Sequence, residues 1–145
     1  MLIVLEGVDG SGKTTLANEL AAILGADIIH CTKDTPNDWD YFSAIISMSE
    51  DRHIIADRFC YGQFVYQDEA DRHLTEHELR GLEMRLDEAG ARVVYVYAPE
   101  EVIQARLDAR DETPMRPLKE LLAGYEKVWE RSLLPITRVT SVPKG

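Results

Sequence analysis

Eight residues near the start of the chain, Gly7-Val8-Asp9-Gly10-Ser11-Gly12-Lys13-Thr14, satisfy the spacing G-x-x-x-x-G-K-[ST] at every fixed position. That spacing suits one task, gripping a nucleoside triphosphate such as ATP. A triphosphate needs many hydrogen-bond donors in a small space, and a glycine-rich turn lets consecutive backbone N–H groups curl around it. Gly7, Gly10, Ser11 and Gly12 supply the turn, and Lys13 reaches the outer phosphates. Thr14 offers a hydroxyl to Mg²⁺, and the helix that it opens with Thr15 points its positive end at the anion.

Two further groups of residues carry chemistry. The apolar run His53-Ile54-Ile55-Ala56 ends in Asp57-Arg58-Phe59, which places an acid and a base at the carboxyl end of a strand, the edge where open parallel sheets bind ligands. Asp57 there can hold Mg²⁺ or orient an attacking oxygen, and the Arg58 guanidinium can fork onto a phosphate or stack on a base. Further on, Pro99-Glu100-Glu101 reads as a helix start. It sets Arg106 and Arg110 four residues apart on one face, left free by Ile103 and Leu107 on the core side. Asp111-Glu112-Thr113-Pro114 then breaks the helix into a short segment ending at Arg116, so 106–116 reads as a lid. A closing arginine is useful in phosphoryl transfer, which develops charge that Mg²⁺ and a loop lysine only partly offset.

These residues need a scaffold, and the pattern supplies one. Apolar runs at Leu2-Leu5, Asp27-Cys31, His53-Ala56, Arg92-Tyr97 and Ile136-Ser141 alternate with helical patterns, which predicts an α/β fold with a five-stranded parallel sheet covered by helices. Leu16, Leu20 and Ile23 carry the first helix up to a stop at Gly25. Tyr41, Phe42, Ile45 and Ile46 mark a short helix, and Leu118, Leu121, Leu122, Tyr125 and Trp129 a longer one. Trp39, Tyr41 and Phe42 either stack a base or fill the core. Before the fourth strand, Thr75 and Glu78 form a capping box, Leu74 and Leu79 a hydrophobic staple, and Gly90 a stop. With Thr75 as the N-cap, His73 lies outside the helix. The zinc-peptidase spacing H-x-x-E-H of His73-Leu74-Thr75-Glu76-His77 therefore lacks the shared helical face that its chemistry requires.

With 145 residues and 45% hydrophobic composition, one domain spanning 1–145 is expected. Its apolar runs are too short for a bilayer, no basic leader precedes the first strand, and Cys31 and Cys60 are far apart, as suits reduced thiols in the cytoplasm. A formal charge of −10 argues against a surface that grips duplex DNA, but not against a small anionic substrate in a cleft with a few cations.

The set Leu5-Glu6-Gly7-Val8-Asp9-Gly10-Ser11-Gly12-Lys13-Thr14-Thr15, Asp57-Arg58-Phe59, Tyr66-Gln67 and Arg106-Leu107-Asp108-Ala109-Arg110 resembles the thymidylate kinase-like nucleotide kinases, in the same order from Met1 to about Trp129. The resemblance implies a three-layer P-loop kinase fold with strand order 2-3-1-4-5. It implies transfer of the γ-phosphoryl of ATP, with Mg²⁺, to a deoxynucleoside monophosphate such as dTMP. It puts Asp9 near Mg²⁺ and the acceptor's sugar hydroxyl, Arg58 on the acceptor phosphate, and Tyr66 with Gln67 in the deoxyribose and base pocket. Members with no arginine inside the loop, as with Gly10 here, place the catalytic arginine in the lid, and homodimers are common. Arg72, with Tyr66-Gln67, is similar to small phage-type relatives and joins the substrate-binding candidates. The chain departs from the family in its length, in a shortened segment between the second and third strands, and in Lys33-Asp34-Thr35-Pro36 where an Arg-Glu-Pro stretch is usual. Two other readings follow: a kinase acting on a hydroxyl of a deoxynucleoside or hydroxymethylated base, within DNA or free, and an ATP-binding module without catalysis.

Overall fold

The computed structural model describes residues 1–141. Its order is β1 (Leu2–Glu6), α1 (Lys13–Leu24), β2 (Asp27–His30), α2 (Trp39–Met48), β3 (Ile54–Asp57), α3 (Gln63–Tyr66), α4 (Glu76–Glu88), β4 (Arg92–Tyr97), α5 (Glu100–Ala109), α6 (Leu118–Glu130) and β5 (Ile136–Thr140), with a 3₁₀ turn at Glu69–Asp71. The strands form one sheet in the order β2-β3-β1-β4-β5. Every neighbouring pair is parallel, with Leu2 opposite Ile54 and Ile3 opposite Arg92.

β1 is central because it is buried on both faces: Leu2, Val4 and Leu5 are wholly inaccessible to solvent. The larger core packs Val4, Ala56, Val93 and Tyr95 under α2, α4 and α6, through Phe42, Ile45, Leu82, Leu86, Tyr125 and Trp129. A smaller cluster of Leu5, Ile55 and Ala17, with Leu16 and Leu20, seats α1 on the opposite face. The result is the three-layer α/β arrangement expected from the sequence. Strand order reverses beside β1, so the loop after it opens at the sheet's carboxyl edge, where ligands of such folds bind.

Some details differ from the sequence reading. Ile23 is 78% exposed, so α1 meets the sheet through Leu16, Ala17 and Leu20 instead. Phe42 is fully buried, edge-on to Phe59 at 4.7 Å, which makes it core and removes it from base stacking. α3 had no counterpart in the sequence analysis, since four residues show no helical period. No helix among the described residues is long and apolar enough to cross a membrane.

α4 starts as its sequence implies. Thr75 caps it by accepting from the Glu78 N–H at 3.1 Å, the Glu78 side chain accepts from the Thr75 N–H at 2.9 Å, and the staple residues Leu74 and Leu79 are both buried. Thr75→Ala removes the side-chain half of this reciprocal pair. Its urea unfolding curve should show a loss of about 1 kcal/mol with an unchanged slope.

Candidate nucleotide site

β1 delivers the chain at Glu6, and α1 takes it up at Lys13. Between them Gly10 and Gly12 have φ of 87° and 96°, a left-handed backbone that side chains disfavour. Space forbids side chains as well: a Cβ at Gly12 would lie 2.7 Å from the Ser141 Cβ. Gly12 caps α1 without a side-chain oxygen, so no side chain competes for the N–H groups of the first turn. The buried Ser11 hydroxyl has no hydrogen-bond partner among the described residues. An anion would engage the N–H groups of that first turn, and a cavity of about 820 Å³ over the loop, bounded by Lys13, Thr15, Arg106, Arg110 and Thr140, is large enough for a nucleoside triphosphate.

Lys13 and Asp57 meet at the loop's base, Nζ to Oδ1, at 2.5 Å, both nearly buried. The Thr14 hydroxyl donates to Asp57 Oδ2 at 3.3 Å. Burial alone would raise the Asp57 carboxyl, but the Lys13 charge and hydrogen bond, helped by His30 and Thr14, hold it below the usual carboxylate range. A hydroxyl and an ionised carboxylate side by side are hard oxygen donors of the type Mg²⁺ takes, so Thr14 and Asp57 fit that ion. His30 is an addition that sequence reasoning missed: its Nδ1 lies 3.0 Å from Asp57 Oδ2. The register His30 opposite Asp57 brings them together, and strand order alone does not give that register.

Arg58 follows Asp57 with φ of 71°, unusual for a side-chain-bearing residue, and its N–H donates to the Leu5 carbonyl at 2.8 Å. The turn aims its guanidinium back across the loop, to Asp9 Oδ1 at 3.1 Å and Gly7 O at 3.4 Å, with its centre 4.7 Å above the Tyr66 ring. The structure thus brings together Asp9, Arg58 and Tyr66. Beneath them lies Glu6, wholly buried. Its carboxylate accepts from the Phe59 N–H and from the Tyr125 hydroxyl, each at 3.0 Å. Burial pushes its pKa up to about 7, against the lowering effects of Arg58, the Phe59 N–H, Tyr125 and Lys13.

The two arginines expected in a lid differ from the sequence reading. Arg106 is not free: it donates to the Gly10 carbonyl at 3.0 Å and the Ser141 hydroxyl at 2.7 Å, bridging the loop to the end of β5. Arg110 caps α5, is about half exposed, and stands 3.8 Å from Glu112. Both line the cavity over the loop, but they are not an equivalent pair. Arg116 reaches Asp68 at 3.0 Å. Gln67 ends α3 with its side-chain oxygen buried and without a hydrogen-bond partner among the described residues. Arg72 is not gathered with Tyr66; it stacks 4.5 Å over Phe64 in a different groove. His73 precedes the Thr75 cap and lies outside α4.

Glu6 gives the site a pH signature. Its folded value of about 7 exceeds the ordinary 4.5, so the fold favours the protonated carboxyl. That stabilisation is complete below about 4.5 and is lost as pH rises through 7, a swing of about 3 kcal/mol. Glu6→Gln cannot ionise. Urea unfolding at pH 5 and pH 8 should therefore show the variant gaining on the native chain by most of that amount, about 2 kcal/mol or more, at the higher pH, whereas a pH-independent difference would mean that Glu6 does not titrate in this range.

No family model matches the chain. It is 31% identical to a probable thymidylate kinase of Methanococcus vannielii over 90 aligned positions, 45% of this chain and 46% of that protein, so the match spans under half of that relative's length. The crystal structure of the YorR protein of Bacillus subtilis, in complex with phosphorylated GDP, superposes with a TM-score of 0.84 at 27% identity, covering 97% of this chain and 85% of that one. Deoxyadenosine kinase from M. mycoides, with dCMP and dCDP bound, superposes at 0.59 with 14% identity over 96% of this chain and 89% of its own, a likeness of fold. Strand order, the glycine loop with its lysine, and these likenesses agree: the chain has the architecture of the thymidylate kinase-like P-loop kinases that it resembles.

Proposed function

We propose that this protein transfers the γ-phosphoryl group of ATP to the phosphate of a deoxynucleoside monophosphate, with dTMP the leading acceptor. The observation that carries the reading is the convergence of Lys13, Thr14 and Asp57 under a glycine loop whose other rim holds Arg58, Asp9 and Tyr66. The loop amides and Lys13 hold the donor's phosphates, Lys13 exchanging Asp57 for phosphate oxygen. Thr14 and Asp57 would hold Mg²⁺, which when bound neutralises charge on the phosphates. Arg58 grips the acceptor phosphate, Asp9 orients the sugar hydroxyl, and Tyr66 with Gln67 lines the deoxyribose pocket. Arg106 and Arg110 bound the donor's space from the lid. Such chemistry is positioning and charge neutralisation, and it needs no covalent intermediate.

One observation favours a hydroxyl acceptor. The Arg58 guanidinium already carries Asp9, the Gly7 carbonyl and the Tyr66 face, so it is less available to a phosphate and would serve as a wall for a nucleoside. The two readings separate in one assay. Protein, ATP and Mg²⁺ are offered deoxynucleosides, their monophosphates and a hydroxymethylated pyrimidine nucleoside, and products are weighed by mass spectrometry. A diphosphate from dTMP is the expected result, and a monophosphate made from a nucleoside would replace it with hydroxyl phosphorylation. Nucleotide binding with no product at all would leave the catalytically silent module or a polymeric acceptor.

Two substitutions sharpen the assignment. Lys13→Ala should lower kcat at least about 100-fold, with the helical circular dichroism of the native chain retained. Arg58→Ala should raise KM for the monophosphate by about 10-fold or more while leaving KM for ATP near the native value.

A further inference from the structure

On the far side of α3 from Arg58 lies a groove of about 450 Å³, walled by the start of α4 and the second half of α6. α3 faces both ways. Tyr66 lies under Arg58 on the loop side, and Phe64, two residues away and so on the opposite helical face, lies under Arg72 in the groove. Val65 between them packs on α6 at Gly124, where a Cβ would come within 3.2 Å of Val65. The groove is therefore separate from the candidate nucleotide site.

Its charge runs against that of the molecule. In a chain of net charge −10, Arg72, Arg80, Lys127 and Arg131 converge here from three segments. The facing carboxylates are Glu76, at 3.3 Å from Arg131 and 4.0 Å from Arg80, and Glu130, with Glu83 bound to Arg80 from below. Among the described residues Arg72 and Lys127 have no carboxylate partner, and the Arg72 Nε is shielded from water with no acceptor at all. Two cations without a counter-charge in one groove repel each other, and an anion there would supply it. The volume far exceeds that of a phosphate ion and is in the range that holds a small organic ligand, while Leu79 and Val128 give it an apolar floor.

We propose that this groove is a second binding site, for the phosphate of a nucleotide, distinct from the donor and acceptor sites. Arg72, Lys127 and Arg131 take the phosphate, and the nucleoside lies over Leu79 and Val128. Because Phe64 and Tyr66 share one helical turn, occupancy here bears on the position of Tyr66 under Arg58 and so on acceptor binding.

The test is amide NMR mapping of the full chain with its loop saturated by a non-hydrolysable ATP analogue and Mg²⁺, titrated separately with dTTP and with inorganic phosphate. Saturable shifts of the amides of Glu76–Arg80 and Gly124–Arg131 are expected, with dTTP binding at least about 10-fold tighter than phosphate. The charge-reversed pair Lys127→Glu and Arg131→Glu, on exposed positions of α6, should weaken those shifts by about 10-fold or more and leave shifts at Gly7–Thr15 intact. The neutral pair Lys127→Gln and Arg131→Gln serves if the first does not fold. Absence of shifts on α4 and α6, or shifts that survive both pairs, would overturn the site. Phosphate binding as tightly as dTTP would overturn its assignment to a nucleotide.

Discussion

Everything around the loop hangs on one buried carboxyl group. Glu6 is the last residue of β1, and its two oxygens hold the backbone after β3 through the Phe59 N–H and helix α6 through the Tyr125 hydroxyl. Both donors are buried; without it the Phe59 N–H would be orphaned and the Tyr125 hydroxyl left with the Gly7 carbonyl at 3.4 Å. The Phe59 bond fixes the chain one residue past Arg58, which helps to sustain the left-handed backbone that turns the Arg58 guanidinium back over the loop. The Tyr125 bond fixes α6 against the same strand end. Loop, acceptor-side arginine and C-terminal helix thus share one hub, and its burial has a price in the raised proton affinity of Glu6.

The resting charge pattern follows from the same need to satisfy buried groups. A lysine as buried as Lys13 requires an anion, and Asp57 supplies it. Arg58 similarly rests on Asp9. Each carboxylate occupies a cation that the proposed chemistry needs for phosphate, so binding is an exchange of partners within the site. A weakly charged ligand cannot displace a contact as close as that of Lys13 with Asp57, and a polyphosphate can. The Thr14 hydroxyl and the ionised Asp57 then remain together as a hard-oxygen pair.

The turn of the glycine loop was legible because the backbone sets its residue types: positive φ and missing space at Gly12 dictate residue type directly. The strands and the α4 cap were legible for the same reason, since apolar runs and a Thr-x-x-Glu spacing report local geometry. Features made by tertiary register were not. His30 meets Asp57 only because β2 lies beside β3. Arg106 looked free on a helical wheel because a wheel does not show that Gly10 and Ser141, distant in sequence, wait on that side. Arg72 follows Tyr66-Gln67 closely in sequence, yet the chain passes around α3 and sets it on Phe64. Proximity along the chain gave the wrong neighbour there, and a four-residue helix leaves no periodic trace to correct it.

The same contacts divide labour between the lid arginines. Arg106 is committed to a loop carbonyl and to Ser141 at hydrogen-bonding distances, partly buried, and moving it would strand the Gly10 carbonyl. Arg110 stands at the end of α5, half exposed, with a 3.8 Å contact to Glu112, and an exposed ion pair of that length holds a side chain weakly. A residue that closes over a transferring group must be inexpensive to release and near the cavity, and Arg110 meets both conditions. Under the proposed reaction Arg106 is therefore a fixed brace that keeps the loop and the end of β5 together. On that proposal Arg110, at the end of α5 and just before the backbone turn at Asp111 with φ of 53°, is the arginine whose side chain would travel.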